Sequence, residues 1–344
     1  MTPPAGSSAT GLTAALTQFE RSRVARWGAV TLTLFALLAV FADLLAADLP
    51  VACRVDGHLY LFPNLTRPQP LAERARDGVA RGRSAGDWAI TPVVRFGPYQ
   101  RTADVLKPPS RTHPLGTDSQ GRDVFARVVH GTRMSLIFGC MTVGATALIG
   151  LALGALAGFY GRAFDSAVAR AIETISSFPT LLLVLVVQAI AANPSALTMM
   201  ITIVLTRWTE MARLVRAEVL FASCQDYVLA ARALGASPLR TLGRHILPNV
   251  AAPAVVTATF GVASVILIEA QLDFLRIGAP PSSASWGQIL SEARDEPSAW
   301  WLLAFPGAIL FLTIVAFNLV GDALRDALDP RLRASSPLRG RDVT

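Results

Sequence analysis

The sequence predicts an all-α integral membrane protein with six membrane-spanning helices. Hydrophobic residues make up 52% of the 344 residues and charged residues only 16%, whereas a soluble domain carries about 25% charged residues. Several charge-free apolar runs reach the roughly 20 residues that a helix needs to cross a bilayer. Arginines gather near the ends of these runs, where they can lie at the lipid headgroups.

The clearest spans are the first, second, fifth and sixth. Trp27–Ala47 holds one charge, Asp43, and no charge occurs in Ser135–Tyr160, Val250–Ile268 or Leu302–Gly321. The first run is longer than the roughly 7–15 apolar residues of a signal-peptide core. We therefore expect a retained anchor rather than a cleaved signal peptide.

The third and fourth spans come from the charge-free run 174–206, which is too long for one crossing. The turn dipeptide Asn193-Pro194 divides it, and a single long re-entrant segment is the alternative. Only 196–206 is charge-free in the fourth span. Arg207 and Glu210, three residues apart, are expected to pair on one helix face near the headgroups.

The distribution of charge predicts the orientation. The net charge is +7, and only one of the 31 basic residues is a lysine, Lys107. Because the arginines flank membrane spans, a bilayer explains this charge better than a nucleic acid does. Arg21, Arg23 and Arg26 precede the first span, which predicts a cytoplasmic N-terminus under the positive-inside rule. Six spans then return the C-terminus to the same side.

These predictions divide the chain into five parts. They are a cytoplasmic tail (1–26), the first span (27–47), an extracytoplasmic insert with a surface helix (48–134), a core of five spans with a cytoplasmic loop at 207–249 (135–321), and a cytoplasmic tail (322–344). The insert is rich in arginine, but loops longer than about 60 residues are largely exempt from the positive-inside rule.

Short extended pieces are expected in the insert. "VDGHLYLFPNL" predicts a hairpin that turns at Asp56-Gly57, and "WAITPVVRFGPY" predicts a second extended piece. An exposed helix fragment is expected between them, in 71–84. At the end of the insert, Asp123 is expected to N-cap the surface helix, whose apolar face is Val124, Phe125, Val128 and Val129.

The residues that could carry chemistry are scattered. Asp118, Asp123 and His130 could form a catalytic site, but no nucleophile and base stand at a matching spacing, so an enzyme is not predicted. The three cysteines fall in three compartments of the predicted topology, which excludes a disulfide framework. The four histidines show no metal-binding spacing, so no cofactor is expected in this chain.

Four polar or helix-breaking residues within the predicted spans are candidates for the pathway or for helix packing. Pro179 lacks an N–H and can kink the third span. Glu269 is an intramembrane acid, which is a functional hypothesis by default, although local pairing at the helix end is the favoured explanation. Gln188 and Asn318 can form interhelical hydrogen bonds.

A polar stretch, "DYVLAARALGASPLRTLGRHILPN", separates the predicted fourth and fifth spans. Asp226 is expected to N-cap a helix of about two turns, and Gly235 to end it. Four residues at helical spacing form one face, namely Tyr227, Ala230, Ala231 and Leu234. Because the face is apolar and partly small, it could dock in a groove of a partner, or the stretch could be a plain surface loop.

The second arm of this hairpin is expected to be another short helix. Ser237 and Pro238 have the types preferred at N-cap and N1, and Leu239, Leu242 and Ile246 are predicted to share its buried face. Pro248 either stops this helix or opens the fifth span. On the first arm, Arg232 is expected to point toward acidic residues of a partner or toward lipid phosphates.

The hairpin resembles the cytoplasmic coupling loop of permease subunits from ATP-binding-cassette (ABC) importers. That signature has Glu-Ala-Ala, a Gly four residues on, and an Ile-x-x-Leu-Pro-like ending. The matching residues here are Ala230, Ala231, Gly235, Ile246, Leu247 and Pro248. Leu229 stands where the signature has Glu, so the role of that acid does not carry over to this chain.

Other blocks resemble the C-type permeases of dipeptide, oligopeptide and nickel importers. They include "HPLGTDSQGRDVFARVVHGTRMSL", "GFYGRAFD", "SSFPTLLL", "EAQLDFLRIGAPPSSASWGQIL" and "DALRDALDPRLR". Arg276 stands where a Gly is usual. The resemblance covers roughly residues 90–333, and the insert resembles the longer branch that includes the microcin C permeases.

The resemblance implies a type I importer permease of the MetI-like fold in the bacterial inner membrane. Its partners would be a homologous second permease, two ABC ATPase subunits that bind ATP and Mg, and an extracytoplasmic solute-binding protein. The chain itself lacks the phosphate-binding G-x-x-x-x-G-K-[ST] motif, since its single lysine is followed by Pro108. The ATPase contacts would be Tyr227, Ala230, Ala231, Arg232, Leu234, Gly235, Ser237 and Pro238.

The cargo expected from the resemblance is a peptide or a peptide-like solute. Nickel or another small solute remains an alternative. An ATP-independent channel or transporter is a more distant one, because such a protein would favour several charged groups along its spans, and these spans are nearly free of charge.

Overall fold

The computed structural model describes residues 22–55, 58–69, 71, 88–192, 194–278 and 283–328. Its helices are α1 (Arg23–Val40), α2 (Ala42–Leu45), α3 (Pro63–Thr66), α4 (Val124–Tyr160), α5 (Arg162–Ser176), α6 (Thr180–Ile190), α7 (Ala196–Ser223), α8 (Asp226–Ala233), α9 (Pro238–Arg240), α10 (Leu247–Phe274), α11 (Trp286–Asp295) and α12 (Trp301–Leu328). A π-helical segment, Thr241–Ile246, joins α9 to α10. The predicted all-α class is confirmed.

Several predictions fall on residues outside this described part. They are most of the N-terminal tail and of the C-terminal tail, the Asp56-Gly57 turn, nearly all of the helix fragment in 71–84, and Asn193 of the turn between the third and fourth spans.

Three short strands lie in the insert: β1 (Ala52–Val55), β2 (His58–Leu61) and β3 (Trp88–Ile90). They form an antiparallel sheet in the order β2-β1-β3, in which Cys53 pairs with Tyr60 on one side and Ala89 on the other. The two predicted extended pieces are therefore confirmed, and they belong to one sheet.

Four helical stretches in the described residues are long and apolar enough to cross a membrane. They are α1, α4, the run Pro238–Phe274 and α12, and the bent pair α5 and α6 would make a fifth. With 28 residues, α7 is about 42 Å long, but its charged residues keep it out of this set. A membrane protein with several spans is thus supported, and the count of six remains a prediction.

The second span begins earlier than predicted. The helix expected on the surface is the first part of α4, which runs unbroken for 37 residues. Asp123 caps α4 as predicted, because its Oδ1 accepts the Ala126 N–H at 2.8 Å. The helix passes straight through Gly131, where a Cβ would lie 3.0 Å from the Trp286 ring. The absence of a side chain there lets Trp286 pack across the helix.

The third span is broken rather than merely kinked. α5 ends at Ser176, α6 begins after Pro179, and the two helices are bent by 76° at the break. Pro179 supplies no N–H to a helix, and a proline disfavours helical backbone at the residue before it, Phe178. The kink predicted at Pro179 is therefore confirmed, but the helical stretch before it begins at Arg162 rather than near residue 174.

The fourth span does not end at residue 206, because α7 continues to Ser223. The predicted pairing is confirmed, since Arg207 Nη2 donates to Glu210 Oε2 at 2.8 Å. The two residues lie in the middle of α7 rather than at its end.

The close packing of α4 against α7 depends on a row of glycines on α4. A Cβ on Gly150 would lie 2.5 Å from Met211 Cβ, and one on Gly154 would lie 2.5 Å from the Ala212 carbonyl oxygen. Small residues at this spacing let two membrane helices approach closely. The two helices form the centre of the bundle.

The two ends of α4 hold different parts of the molecule. Near its start, Val124 and Val128 pack with Ile289, Trp301 and Leu302. Near its end, Ala155 belongs to a cluster that contains Val219, Val228, Leu242 and Ile246. The start and end are separated by about 45 Å of helix, so the hairpin lies at the opposite end of the bundle from α11.

Candidate functional site: the hairpin of residues 226–248

The first arm of the hairpin is α8, and its end is defined by Gly235. Gly235 has φ +81°, its N–H donates to the Arg232 carbonyl at 3.0 Å, and the Ala236 N–H donates to the Ala231 carbonyl at 3.0 Å. This pair of bonds is a Schellman motif, which needs a residue with positive φ after the helix. The predicted stop at Gly235 is confirmed.

The start of α8 differs from the prediction by one residue. Gln225 occupies the N-cap with extended backbone, and Asp226 is the first helical residue. The Asp226 carboxylate therefore does not cap the helix. It lies in the first turn, where the positive end of the helix dipole stabilises its negative charge.

The second arm is not a separate helix. Ser237 Oγ accepts the Arg240 N–H at 3.4 Å, and Pro238 follows it at the start of α9, as predicted. However, α9 continues through the π-helical segment into α10, and Pro248 lies in the first turn of α10. The hairpin is thus joined to a membrane helix without a flexible linker.

Buried apolar residues fix the hairpin to the bundle. Val228 of α8 is fully buried, and it packs with Leu242 and Ile246 against Val219 of α7. In addition, Asn249 Nδ2 donates to the Tyr227 hydroxyl at 3.1 Å. Leu239 was expected on the same buried face, but it is 73% exposed.

The Arg232 side chain contacts the helix bundle. Its guanidinium lies over the ring of Phe159, 5.4 Å from the ring centroid, near the end of α4. A cation over an aromatic face contributes about 0.5–1 kcal/mol at an exposed site. Because Arg232 is also exposed, its contact with acidic residues of a partner or with lipid phosphates stays a prediction.

The outer face of the hairpin is open. Tyr227, Ala230 and Leu234 are exposed and Ala231 is half-buried, and Leu234 reaches 89% exposure. Beside them is a shallow cavity of about 320 Å³, lined by Ala231, Leu234, Gly235, Ala236, Arg240, Arg244 and His245. The four residues of the predicted docking face thus lie at the surface, next to a basic recess.

Two of the other candidate residues, Gln188 and Glu269, form hydrogen bonds between helices, and among the described residues Asn318 does not. Gln188 is buried, donates to the Ser195 carbonyl at 3.1 Å and accepts from Thr198 Oγ1 at 2.9 Å, so it ties α6 to α7. Glu269 is also buried and accepts from Ser135 Oγ of α4 at 2.9 Å. Asn318 is half-buried on α12, and in the described part of the chain its side chain makes no hydrogen bond.

The residues considered for a catalytic site do not converge. Asp123 caps α4 and accepts a hydrogen bond from His113 at 2.7 Å, whereas His130 contacts Asp43 at 3.3 Å. Burial raises the pKa of the Asp123 carboxyl, although the Ala126 N–H and His113 favour its ionised form. Asp118 is buried and bonded to two arginines.

A buried ion-pair network at the far end of the molecule was missed at the level of the sequence. Asp118 Oδ2 lies 2.6 Å from Arg122 Nε and 2.6 Å from Arg127 Nη1, and both arginines also lie 2.7 Å from Glu292 Oε1. The spacing of Asp118 and Arg122 was a local signal. Nothing local indicated Glu292, which comes from α11.

Arg276 is an unusual residue in its position. It follows the end of α10 with φ +61°, and the N–H groups of Arg276 and Ile277 donate to Asp273 and Leu272 in a second Schellman motif. A glycine suits such a position best. The Arg276 side chain pairs with Asp295 of α11, and this hydrogen bond holds the pKa of the Asp295 carboxyl below its usual value.

Arg276→Gly is expected to stabilise the protein by about 1 kcal/mol, because a residue with a Cβ pays roughly that amount in the left-handed conformation. The ion pair that is lost contributes little, since both partners are largely exposed. Arg276→Ala keeps the strain and loses the pair, so its melting temperature in detergent should be the lowest of the three proteins. A lower melting temperature for Arg276→Gly than for the wild type would contradict this interpretation.

Comparison with known proteins places these features in one family. The sequence profile described as "Binding-protein-dependent transport system inner membrane component" matches residues 150–334. The chain is 38% identical over 248 residues to the dipeptide transport system permease protein DppC of Alkalihalophilus pseudofirmus, covering 71% of this chain and 81% of that protein.

Two further relatives are similar to the same extent. The chain is 40% identical over 228 residues to the oligopeptide transport system permease protein OppC of Bacillus subtilis, covering 66% of this chain and 74% of OppC. It is 38% identical over 249 residues to the di/tripeptide transport system permease protein DppC of Pseudomonas aeruginosa, covering 70% of this chain and 82% of that protein.

Proposed function

Because the chain belongs to the family of binding-protein-dependent transport system inner membrane components, we propose that it is a permease subunit of an ATP-driven importer of peptides or peptide-like solutes. The observation that carries the proposal is the hairpin, which offers an open face and continues into α10 without a break. The names of the relatives support a peptide cargo.

The proposed assembly has four kinds of partner. A homologous second permease completes the pathway, two ABC ATPase subunits bind ATP and Mg, and a solute-binding protein delivers the cargo from outside. The lipid bilayer surrounds the apolar helices. The family is a transport component rather than an ATPase, and the single lysine of the chain, Lys107, is followed by Pro108, so a P-loop has no place here.

We place the protein in the bacterial inner membrane with six spans. Four of them are α1, α4, the run Pro238–Phe274 and α12. The pair α5 and α6 supplies a fifth span, and α7 supplies the sixth. Both termini and the hairpin then lie in the cytoplasm, and the sheet and α11 lie outside. The arginines before the first span support this orientation. The separation of the hairpin and α11 along α4 is consistent with it.

The proposed mechanism is alternating access driven by the ATPase partners. When they close around ATP, they displace the hairpin face that contains Tyr227, Ala230, Ala231 and Leu234. Val228, Leu242 and Ile246 fix this face to the bundle, and α10 carries the displacement into the membrane. Packed helices respond to such a push by switching between two arrangements rather than by gradual deformation.

The test of this function is uptake by the complete transporter in proteoliposomes. With ATP inside and the binding protein outside, labelled dialanine should accumulate, and accumulation should stop when ATP is replaced by a non-hydrolysable analogue. Nickel(II) is the matched alternative cargo in the same vesicles. Accumulation of nickel without dialanine would replace the peptide assignment, and dialanine uptake without ATP would indicate a passive carrier.

A further inference from the structure

A charged pair lies deep within the apolar part of the bundle. Arg207 is the twelfth of the 28 residues of α7, so it lies about 17 Å from the Ala196 end and about 24 Å from the Ser223 end. The neighbouring residue, Trp208, is level with Gly150, since a Cβ on Gly150 would lie 2.9 Å from the Trp208 carbonyl oxygen. Gly150 is near the middle of the charge-free run of α4.

Arg207 has more hydrogen-bond partners than Glu210 does. Arg207 Nη1 donates to Ser264 Oγ of α10 at 2.6 Å, and its Nη2 donates to Glu210 Oε2 at 2.8 Å. The Arg207 side chain is only 15% exposed, whereas that of Glu210 is 58% exposed. In the described part of the chain Glu210 Oε1 has no hydrogen bond. The group left open is thus a carboxylate oxygen, which accepts from cations.

Lipid is an unfavourable neighbour for this open carboxylate. A charged side chain at the centre of a bilayer costs at least about 2.5 kcal/mol, and such residues face a bundle interior or a water-filled cavity. The face of α7 that carries Glu210 therefore turns toward the second permease or toward the pathway between them.

The broken third span lies beside this carboxylate and must also face either the second permease or the pathway. Arg213, one turn from Glu210 on α7, donates to Ser176 Oγ at 3.2 Å, and Ser176 is the last residue of α5 before the 76° break. Irregular backbone at membrane depth is tolerated only where it is buried in protein or lines a water-filled cavity. Phe178, in this break, is 57% exposed, so the break is not buried within this chain.

We infer that Glu210, held in place by Arg207 and Ser264, binds the terminal ammonium group of a peptide as it passes along the pathway. This inference rests on the proposed function. Arg207 already has two partners, so it acts as a positioning residue that fixes the carboxylate, while Oε1 accepts a charge-assisted hydrogen bond from the ammonium group. Every unmodified peptide carries such a group, so the site would be independent of the peptide's side chains.

The test uses Glu210→Gln in the complete transporter. Dialanine uptake should fall about tenfold, which corresponds to about 1.4 kcal/mol, while subunit assembly and ATP hydrolysis stimulated by the binding protein stay within twofold. Glu210→Asp should restore most of the uptake, because it keeps the charge. Glu218→Gln, on the same helix and half-buried, is the matched control and should behave as the wild type does.

The dependence on pH identifies the ammonium group. The α-amino group of a peptide loses its proton near pH 8, so the ratio of wild-type to Glu210→Gln uptake should fall from about ten toward one between pH 7 and pH 9. The selectivity of the binding protein cancels in this ratio, since both preparations use the same binding protein.

Three results would overturn the inference. They are unchanged uptake by Glu210→Gln, a ratio that is constant with pH, and a parallel loss of uptake and assembly, which would place Glu210 against the second permease. If the wild-type complex fails to take up dialanine at all, the proposed function itself is wrong. If the wild type transports dialanine and the ratio stays constant, only the role of Glu210 is wrong.

Discussion

Gly235→Val is expected to reduce ATP-driven uptake at least tenfold while leaving membrane insertion and the amount of protein unchanged. Gly235 has φ +81°, and apart from its chain neighbours no heavy atom of the described residues lies within 4 Å of the position that its Cβ would take. The substitution therefore causes no clash, and its effect comes from the backbone. A β-branched residue disfavours the left-handed conformation, so the turn between Leu234 and Ser237 must rearrange.

The rearrangement matters because this turn connects the docking face to the membrane helix. Losing the Schellman bonds to Ala231 and Arg232 shifts Leu234 relative to α9 and α10, which separates the face that a partner would push from the helix that would move. The cost in folding energy is only about 1–2 kcal/mol, too little to unfold the bundle. Transport should therefore fail before stability does.

Gly243→Val is the matched control for this experiment. Gly243 is also exposed, and beyond its chain neighbours and its own helix backbone its added Cβ meets no described atom within 4 Å, but its φ lies in the ordinary range. Uptake by this variant should remain close to that of the wild type. Normal uptake by Gly235→Val, or an equal loss in both variants, would remove the turn from the mechanism.

Arg127→Met is expected to give the largest loss of stability, about 3–5 kcal/mol, because it removes one partner from a buried ion-pair network. Arg127 is fully buried, and its Nη1 contacts both Asp118 and Glu292. The four charges of the network balance in the wild type. Without Arg127, two carboxylates share the single guanidinium of Arg122, and one negative charge is left uncompensated.

The effect should appear as a lower melting temperature in detergent. Arg101→Met is the control, since Arg101 is exposed and, among the described residues, its side chain bonds only Gln120, at 2.8 Å. This variant should change stability by less than about 0.5 kcal/mol. The double variant Arg127→Met/Glu292→Gln should recover part of the loss, because it removes the unpaired charge. Equal melting temperatures for Arg127→Met and Arg101→Met would contradict the role of the network.

Local patterns in the sequence were sufficient to predict the apolar, helical character of the chain and the turns of the hairpin, but not the exact bounds of the spans. Gly235 and the Ser237-Pro238 pair occupy the predicted positions because caps and turns depend on a few neighbouring residues. Asp123 was identified as a cap for the same reason. Pro179 predicted a kink, but the size of the bend depends on how α5 and α6 pack, which no local pattern records.

Contacts between residues far apart in the chain could not be predicted from the spacing of residues along it. Arg127 and Glu292 are 165 residues apart in the chain, and neither carries a signal that names the other. Leu239 was grouped with Leu242 and Ile246 by the spacing of an ordinary helix. Leu239 precedes the π-helical segment Thr241–Ile246 that contains the other two, and the spacing of an ordinary helix does not apply across this change of helix type.

Leu229 lies at the surface of the first arm of the hairpin. It is 50% exposed on α8, in the place where the coupling-loop signature has an acid. In the proposed docking, the contact would consist of apolar and small residues together with the basic recess beside them, and we expect acidic residues on the partner surface that meets Arg240 and Arg244.

Co-purification of the ATPase subunits tests whether the hairpin is the docking site. Leu234→Asp places a charge on a side chain that is 89% exposed, and Leu61→Asp does the same on the strand β2, where Leu61 is 62% exposed. The hairpin variant should lose the ATPase subunits in a detergent pull-down, while the strand variant retains them in wild-type amounts. Retention of the ATPase subunits by Leu234→Asp in wild-type amounts, or an equal loss from both variants, would contradict docking at the hairpin.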